Sequence, residues 1–399
     1  MKELKKFEVA GFVAGAVGAG IKKAGRPDIM MVVSEEKANA AAVFTTNKVK
    51  AAPVQLSQLV AKKGRARAIV ANSGNANACN GERGMADALT MADVAADCLG
   101  INTSEVFVAS TGVIGAPMPI DRIEAGIVAL PGSLKKNGWE DAARAIMTTD
   151  TFPKIYGVKE NIGGKEVTIL GIAKGSGMIH PNMATMLSFV ATDASVETKA
   201  LKAALKAAVV KTFNRITVDG DTSTNDCVLM LANGLAGNAP VAAEGKEYDK
   251  FEKTLEAVLA KLARMVAKDG EGATKLVEVI VAGAKSEADA LKAAKAIAHS
   301  PLVKTAMFAA DANWGRIICA AGYSGAEMDP DKAEIYFDEV CMVKGGVGQG
   351  EAAEKKATAV MKKAEYKLIV KLGAGKASAS VLTTDLSHEY VKINAEYRS

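Results

Sequence analysis

The sequence predicts an α/β fold (α+β in the broader sense), with large sheets covered by helices. Short apolar or alternating runs, bounded by Gly, Pro, Asn or Ser, recur from end to end. Apolar stripes at helical spacing fall between them. Hydrophobic residues make up 49% and aromatic residues 5%, so Ala, Val, Ile, Leu and Met must form the core. At roughly 150 residues per domain, 399 residues correspond to two or three domains. No Pro-rich, Ser-rich or charge-run linker divides the chain, and no fixed-period repeat is present.

Taken in order, the first 75 residues read as short strands joined by turns, at Ile29–Val33, Ala41–Thr45 and Arg67–Asn72. Asn72 to Asn77 reads as a turn-forming loop. A helix over Glu82–Leu99 stops at Gly100. Val106–Ala109 is a buried strand entering a turn at Ser110-Thr111-Gly112, and helices follow near Pro119–Val128 and Trp139–Met147. Glu166–Ala173 is a further strand. Leu201, Leu205, Val209 and Phe213 share one helical face, and Phe251, Leu255, Val258, Leu259 and Leu262 another. Leu276–Val281 is a strand, and Ser286 caps a helix that ends before Pro301. Glu334–Met342 and Tyr366–Leu372 are strands.

Composition excludes several classes. A net charge of +5, spread along the chain, does not mark a nucleic-acid binder. Three scattered His argue against a His-built metal site, and no metal is expected. Five Cys without a C-x-x-C pair read as reduced thiols. Lys2, Lys5 and Lys6 precede an apolar run from Val9 to Ile21, but Gly11, Gly15, Gly18 and Gly20 interrupt it and it holds no Leu, so it is not expected to be a signal peptide. No run reaches the roughly 18 apolar residues of a spanning helix. A soluble, cytoplasmic protein without a membrane partner is expected.

The most unusual segment runs from Lys174 to Leu187 (K-G-S-G-M-I-H-P-N-M-A-T-M-L), after a strand. Its Gly, Pro and Asn content suits either a plain connection that opens a strand at Thr185 or a loop whose backbone approaches a ligand. Ser176 near Lys174 suggests a Ser–Lys nucleophile only weakly, since no hydrolase motif surrounds it, and His180 reads as a structural loop residue. Lys344–Gly350 lacks the spacing of a phosphate loop and reads as a turn.

This segment closely resembles the self-cleavage motif of the ornithine acetyltransferase family, the bifunctional arginine-biosynthesis or glutamate N-acetyltransferase group. Other stretches match that family in order: A-A-V-F-T-T-N from Ala41, A-N-S-G-N-A-N from Ala71, S-T-G-V-I-G from Ser110 and M-T-T-D-T from Met147. Further on come T-V-D-G-D-T-S-T-N-D from Thr217, D-G-E-G-A-T-K from Asp269, D-A-N-W-G-R from Asp311 and I-N-A-E-Y-R-S from Ile393. The resemblance spans essentially the whole chain.

It implies a self-processed, N-terminal-nucleophile-like sandwich of helices and sheets of the DmpA type, cut between Ala184 and Thr185 into an α chain (1–184) and a β chain (185–399). The chemistry suits such a cut. Ala184 is small, so the Thr185 hydroxyl can attack the preceding carbonyl, and hydrolysis of the resulting ester frees Thr185 as a chain start. Its new amine, with a pKa of about 7.7–8.0, can serve as base for its own hydroxyl. The resemblance further implies an oxyanion hole at Thr111 and Gly112, and substrate binding by Thr148, Lys174, Thr185, Glu271, Asn394 and Ser399. Lys174 suits a substrate carboxylate and Glu271 an ammonium. The implied reaction moves acetyl from N2-acetyl-L-ornithine to L-glutamate through an acetyl-Thr185 intermediate. No bound cofactor is required, and acetyl-CoA is a second candidate donor. A heterotetramer of the cleaved chains is implied. The alternatives are a self-processed amidohydrolase or aminopeptidase, in which water replaces glutamate, and a non-catalytic amino-acid-binding protein that leaves Thr185 uncut.

Overall fold

The computed structural model describes residues 1–22, 25–180 and 186–396. The described residues form two compact units, Met1–Asn214 with Asp221–Val266, and Arg215–Gly220 with 267–396.

In chain order the first unit holds β1 (Lys2–Glu3), β2 (Phe12–Val17), β3 (Ile29–Phe44), α1 (Ala52–Lys63), β4 (Arg65–Asn75), α2 (Gly81–Leu99) and β5 (Val106–Val113). There follow α3 (Ile120–Ala129), α4 (Trp139–Ala145), β6 (Lys154–Ile162), β7 (Lys165–Lys174), β8 (Leu187–Thr192), α5 (Thr198–Lys211), β9 (Cys227–Ala232) and α6 (Lys246–Lys268). Its strands form one nine-stranded sheet in the order β1-β6-β7-β8-β9-β3-β4-β5, with β2 also paired to β3. The sheet is covered on both faces. On β3, Met30 and Val32 pack with Trp139 and Ala142 of α4, whereas Ile29, Met31 and Val33 pack with Ala88, Met91 and Ala92 of α2. Burial on both sides makes the run I-M-M-V-V continuously apolar instead of alternating.

Several expected elements change. Ile29–Val33 and Ala41–Thr45 are not two strands but parts of β3, a single 16-residue strand. The exposed Glu35, Glu36 and Lys37 that look like a turn lie in an irregularity where pairing with β4 shifts between Val33 and Ala38. The helix α1 replaces an expected stretch of strands and turns. Val54 and Leu56 imitate strand alternation, but Ser57 and Val60 complete a helical face, Pro53 opens the helix, and Gly64 closes it at φ +71°. The expected loop from Asn72 is still strand up to Asn75, and the expected turn at Ser110-Thr111-Gly112 is still β5. The two hold each other in parallel register, Asn72 opposite Ser110 and Ser73 opposite Thr111. Strand β6 adds to the expected set, and α5 ends at Lys211, before Phe213.

The second unit holds β10 (Leu276–Ala284), α7 (Glu287–His299), α8 (Pro301–Ala309), α9 (Trp314–Gly322), β11 (Glu334–Phe337), β12 (Val340–Lys344) and β13 (Val347–Gly348). It closes with α10 (Gly350–Met361), β14 (Glu365–Lys371), β15 (Ala377–Thr384) and α11 (His388–Glu396). Its sheet runs β13-β12-β11-β14-β10-β15, with β10 and β14 parallel. Val277, Val279 and Val281 of β10 pack with Ala290, Ala294 and Ile297 of α7. The expected strand Glu334–Met342 is a hairpin, β11 antiparallel to β12. Ser286 caps α7 as expected, accepting the Asp289 N–H.

The α/β class is therefore as expected. Strands β7 and β8, which flank the expected cut in sequence, both belong to the first unit, and their residues Lys174 and Leu187 are paired neighbours.

Candidate active site

Ordered backbone at the ends of β5 and β7 builds the first part of the site. Thr111 and Gly112 are the sixth and seventh residues of β5 and are half-buried. Gly112 has φ +133°, a region that only glycine enters readily, and it stands opposite Gly74. The segment before it is fixed by buried amides. The Ser110 hydroxyl donates to Asn72 Oδ1 at 2.6 Å, and Asn225 Nδ2 donates to the Ser110 carbonyl at 2.9 Å and to the Ala76 carbonyl at 2.5 Å. The Thr224 hydroxyl holds Asn225 Oδ1 at 2.6 Å, which orients the amide.

Lys174 is the last residue of β7 and is buried, and its Nζ donates to Thr111 Oγ1 at 3.3 Å. Thr148, in the turn before β6, is half-buried, and its N–H donates to Asp150 Oδ2 at 2.9 Å. Thr111, Gly112, Lys174 and Thr148 thus belong to one cluster of the first unit, joined directly or through Asp150.

The chain leaves β7 through a loop in which Met178 adopts φ +55°, an unfavourable conformation for a side chain of this type. It re-enters the sheet at Met186, whose carbonyl accepts the Cys227 N–H at 3.0 Å. Ala184 and Thr185, the expected cleavage pair, lie outside the described residues. Asp226 marks the neighbouring strand. It is fully buried, takes hydrogen bonds from Ser223 and the Met186 N–H, and leaves its Oδ2 without a partner among the described residues. Burial pushes its carboxyl well above the ordinary range, although Ser223 and the Lys174 charge pull the other way.

In the second unit, Glu271 sits in the loop between α6 and β10 and accepts from Asn394 Nδ2 of α11 at 2.8 Å. Asp385 clamps that loop through the N–H groups of Thr274 and Lys275, at 2.9 and 3.0 Å. Gly272 has φ +64°, and a Cβ there would lie 2.4 Å from the Tyr390 nitrogen, so only glycine lets the loop meet α11. Glu271 and Asn394 are therefore brought together, while Ser399 lies outside the described residues. Sequence reasoning missed Asp150, Asn225 and Asp226. Their signal was their place inside the motifs M-T-T-D-T and T-S-T-N-D, whose carboxyl and amide groups had no assigned partner. No group of three or more His, Cys, Asp or Glu placed to hold a metal ion is found among the described residues. No helix there is long and apolar enough to cross a membrane.

An oriented hydroxyl, a glycine-opened strand end and a buried ammonium within hydrogen-bond reach of that hydroxyl define an α/β enzyme site suited to acyl transfer. A model of the ArgJ family matches residues 13–399, and the chain belongs to that family, making it an acyltransferase. It is 54% identical to the arginine biosynthesis bifunctional protein ArgJ of Geobacter sulfurreducens, over 98% of this chain and 100% of that one. Identity to the protein of the same name from Caldanaerobacter subterraneus is also 54%, over 98% of this chain and 97% of that one. Among solved structures, that of arginine biosynthesis bifunctional protein argJ from Bacillus halodurans is similar, with a TM-score of 0.52 and 47% identity. It covers 53% of this chain and 100% of that chain.

Proposed function

We propose that this chain cleaves itself between Ala184 and Thr185 and then transfers acetyl from N2-acetyl-L-ornithine to L-glutamate in arginine biosynthesis. Thr185 Oγ attacks the acetyl carbonyl while its own α-amine takes the hydroxyl proton. Thr111 and Gly112 stabilise the oxyanion, ornithine leaves, and glutamate collects the acetyl group. Thr148, Lys174, Thr185, Glu271, Asn394 and Ser399 bind substrate in this reading. No bound cofactor is needed. Acetyl-CoA is a second acetyl donor in this reading, in keeping with the word bifunctional in the relatives' names.

The observation that carries the reading is the Lys174 Nζ–Thr111 Oγ1 contact of 3.3 Å. It joins the strand that enters the cleavage motif to the strand end proposed as oxyanion hole. The sheet adds support. A cut in the β7–β8 connection leaves paired strands on different chains, so the 1–184 and 185–399 pieces stay locked together, here proposed as a cytoplasmic heterotetramer. The Bacillus halodurans chain, matched over its whole length by only 53% of this one, has the size of one such piece.

Mass spectrometry of the purified protein tests this. Wild type should give pieces of about 19 and 22 kDa from the 41.3 kDa chain. The larger should gain one acetyl group with acetylornithine and lose it to glutamate. Thr185→Ala should remain one unacetylated chain. Intact, active wild-type protein would overturn the mechanism, and acetate release that glutamate leaves unchanged would favour an amidohydrolase.

A further inference from the structure

One buried carboxylate joins two of the motifs. Asp150 lies in the turn between α4 and β6. Its Oδ2 accepts the Thr148 N–H at 2.9 Å. Its Oδ1 accepts the Gly175 N–H at 2.7 Å and the Lys154 ammonium at 2.6 Å. The Asp150 and Lys154 side chains are both 0% exposed, and Lys154 Nζ also lies 4.9 Å from the centre of the Phe152 ring. The Gly175 N–H belongs to the peptide that follows Lys174, so the carboxylate grips the backbone of both proposed substrate-binding residues. Lys174 then reaches Thr111. A third lysine braces the same turn: Lys22 Nζ donates to the Met147 carbonyl at 2.9 Å.

The charges are mutually dependent. Burial by itself would raise the Asp150 carboxyl, but the Lys174 and Lys154 charges and the hydrogen bonds from Lys154 and Thr148 hold it at about 2. The charged groups acting on this cluster are Lys154, Lys174, Lys22, Arg26, Asp28 and Asp226. Asp226 is pushed toward its neutral form and Asp28 acts on Lys22, while Asp150 is the carboxylate paired with Lys154 and acted on by the Lys174 charge.

We propose that Asp150 is a positioning residue for acetyl transfer: with Lys154 as its counterion, it fixes Thr148 to the Lys174–Gly175 peptide and so sets where Lys174 stands beside Thr111. The proposal rests on the acetyl-transfer reading for what Lys174 and Thr148 bind. Asparagine at 150 has the same shape but one acceptor oxygen, and its amide would face an N–H or an ammonium. It also removes the negative charge that faces Lys154 and Lys174.

The test is steady-state transfer to glutamate at about pH 7 in wild type, Asp150→Asn and the double variant Asp150→Asn/Lys154→Met. The double variant also removes the buried Lys154 charge, so that the ion pair is lost as a whole and not by one half. Both variants should raise the glutamate KM about tenfold at pH 7 while kcat changes less than about threefold. Asp150→Glu, which restores the carboxylate, should recover most of the wild-type KM. A folded Asp150→Asn or double variant with wild-type KM would overturn the positioning role. Wild-type protein that moves no acetyl at all would instead overturn the reading beneath it.

Discussion

Gly112 stands opposite Gly74 in the parallel pairing of β4 with β5, and a Cβ on Gly112 would lie 2.4 Å from the Gly74 carbonyl carbon and 2.6 Å from the Asn75 nitrogen. Both neighbours are backbone and cannot turn aside. The glycine is thus required by the sheet itself, whatever it also does for an oxyanion.

Gly112→Ala should therefore be a folding defect before it is a catalytic one. We expect a loss of at least about 4 kcal/mol, seen as a large fall in Tm or failure to accumulate. The cleaner oxyanion probe is Thr111→Val, which keeps shape and removes the hydroxyl. It should lower kcat by about 10²- to 10³-fold with little change in KM, and Thr111→Ser should restore most of it. An unchanged kcat in Thr111→Val would place the stabilising donor elsewhere.

Lys304 supplies a stability prediction with a definite sign. It is buried in α8, and its Nζ donates to Thr383 Oγ1 at 3.3 Å and Thr384 Oγ1 at 3.2 Å and to the Thr384 carbonyl. Burial pushes its ammonium down to about 8, against the upward pull of Asp385 and Asp219. Between that value and the ordinary 10.5, the unfolded chain binds the proton and the folded chain does not. Folding stability from this group therefore rises with pH across the window, by up to about 3 kcal/mol. Urea unfolding at pH 7.5 to 10.5 should show that rise in wild type relative to Lys304→Met. Parallel curves for the two proteins would contradict it.

Activity should report the α-amine of Thr185. As base it must be unprotonated, so the rate of acetyl-enzyme formation should increase with pH through an apparent pKa at or below about 8. Exclusion of water from the site lowers an amine further, because burial disfavours its charged form. Thr185→Ser keeps both amine and hydroxyl and should show the same profile at a lower rate. A flat wild-type profile between about pH 6 and 9 would remove the amine from its role.

The sequence by itself determined what depends on near neighbours. Gly100 ends α2 in a left-handed conformation at φ +62°, and Ser286 caps α7 three residues from its partner. Such contacts close within one helical turn, so residue order and spacing suffice to reveal them. The family motifs were equally legible, because each is a contiguous string. Only the tertiary structure decided how the strings meet. Lys174 reaches Thr111 across 63 residues of chain, Asn225 reaches Ser110 across 115, and Gly175 reaches Asp150 across 25. The same holds for the length of β3 and the strand character of Thr111. A strand takes its hydrogen bonds from partners remote in sequence, so its limits and register are fixed by the sheet that receives it. A buried carboxylate such as Asp150 becomes identifiable only when folding brings its lysines and backbone donors around it, since their charges and hydrogen bonds are what keep it ionised away from water.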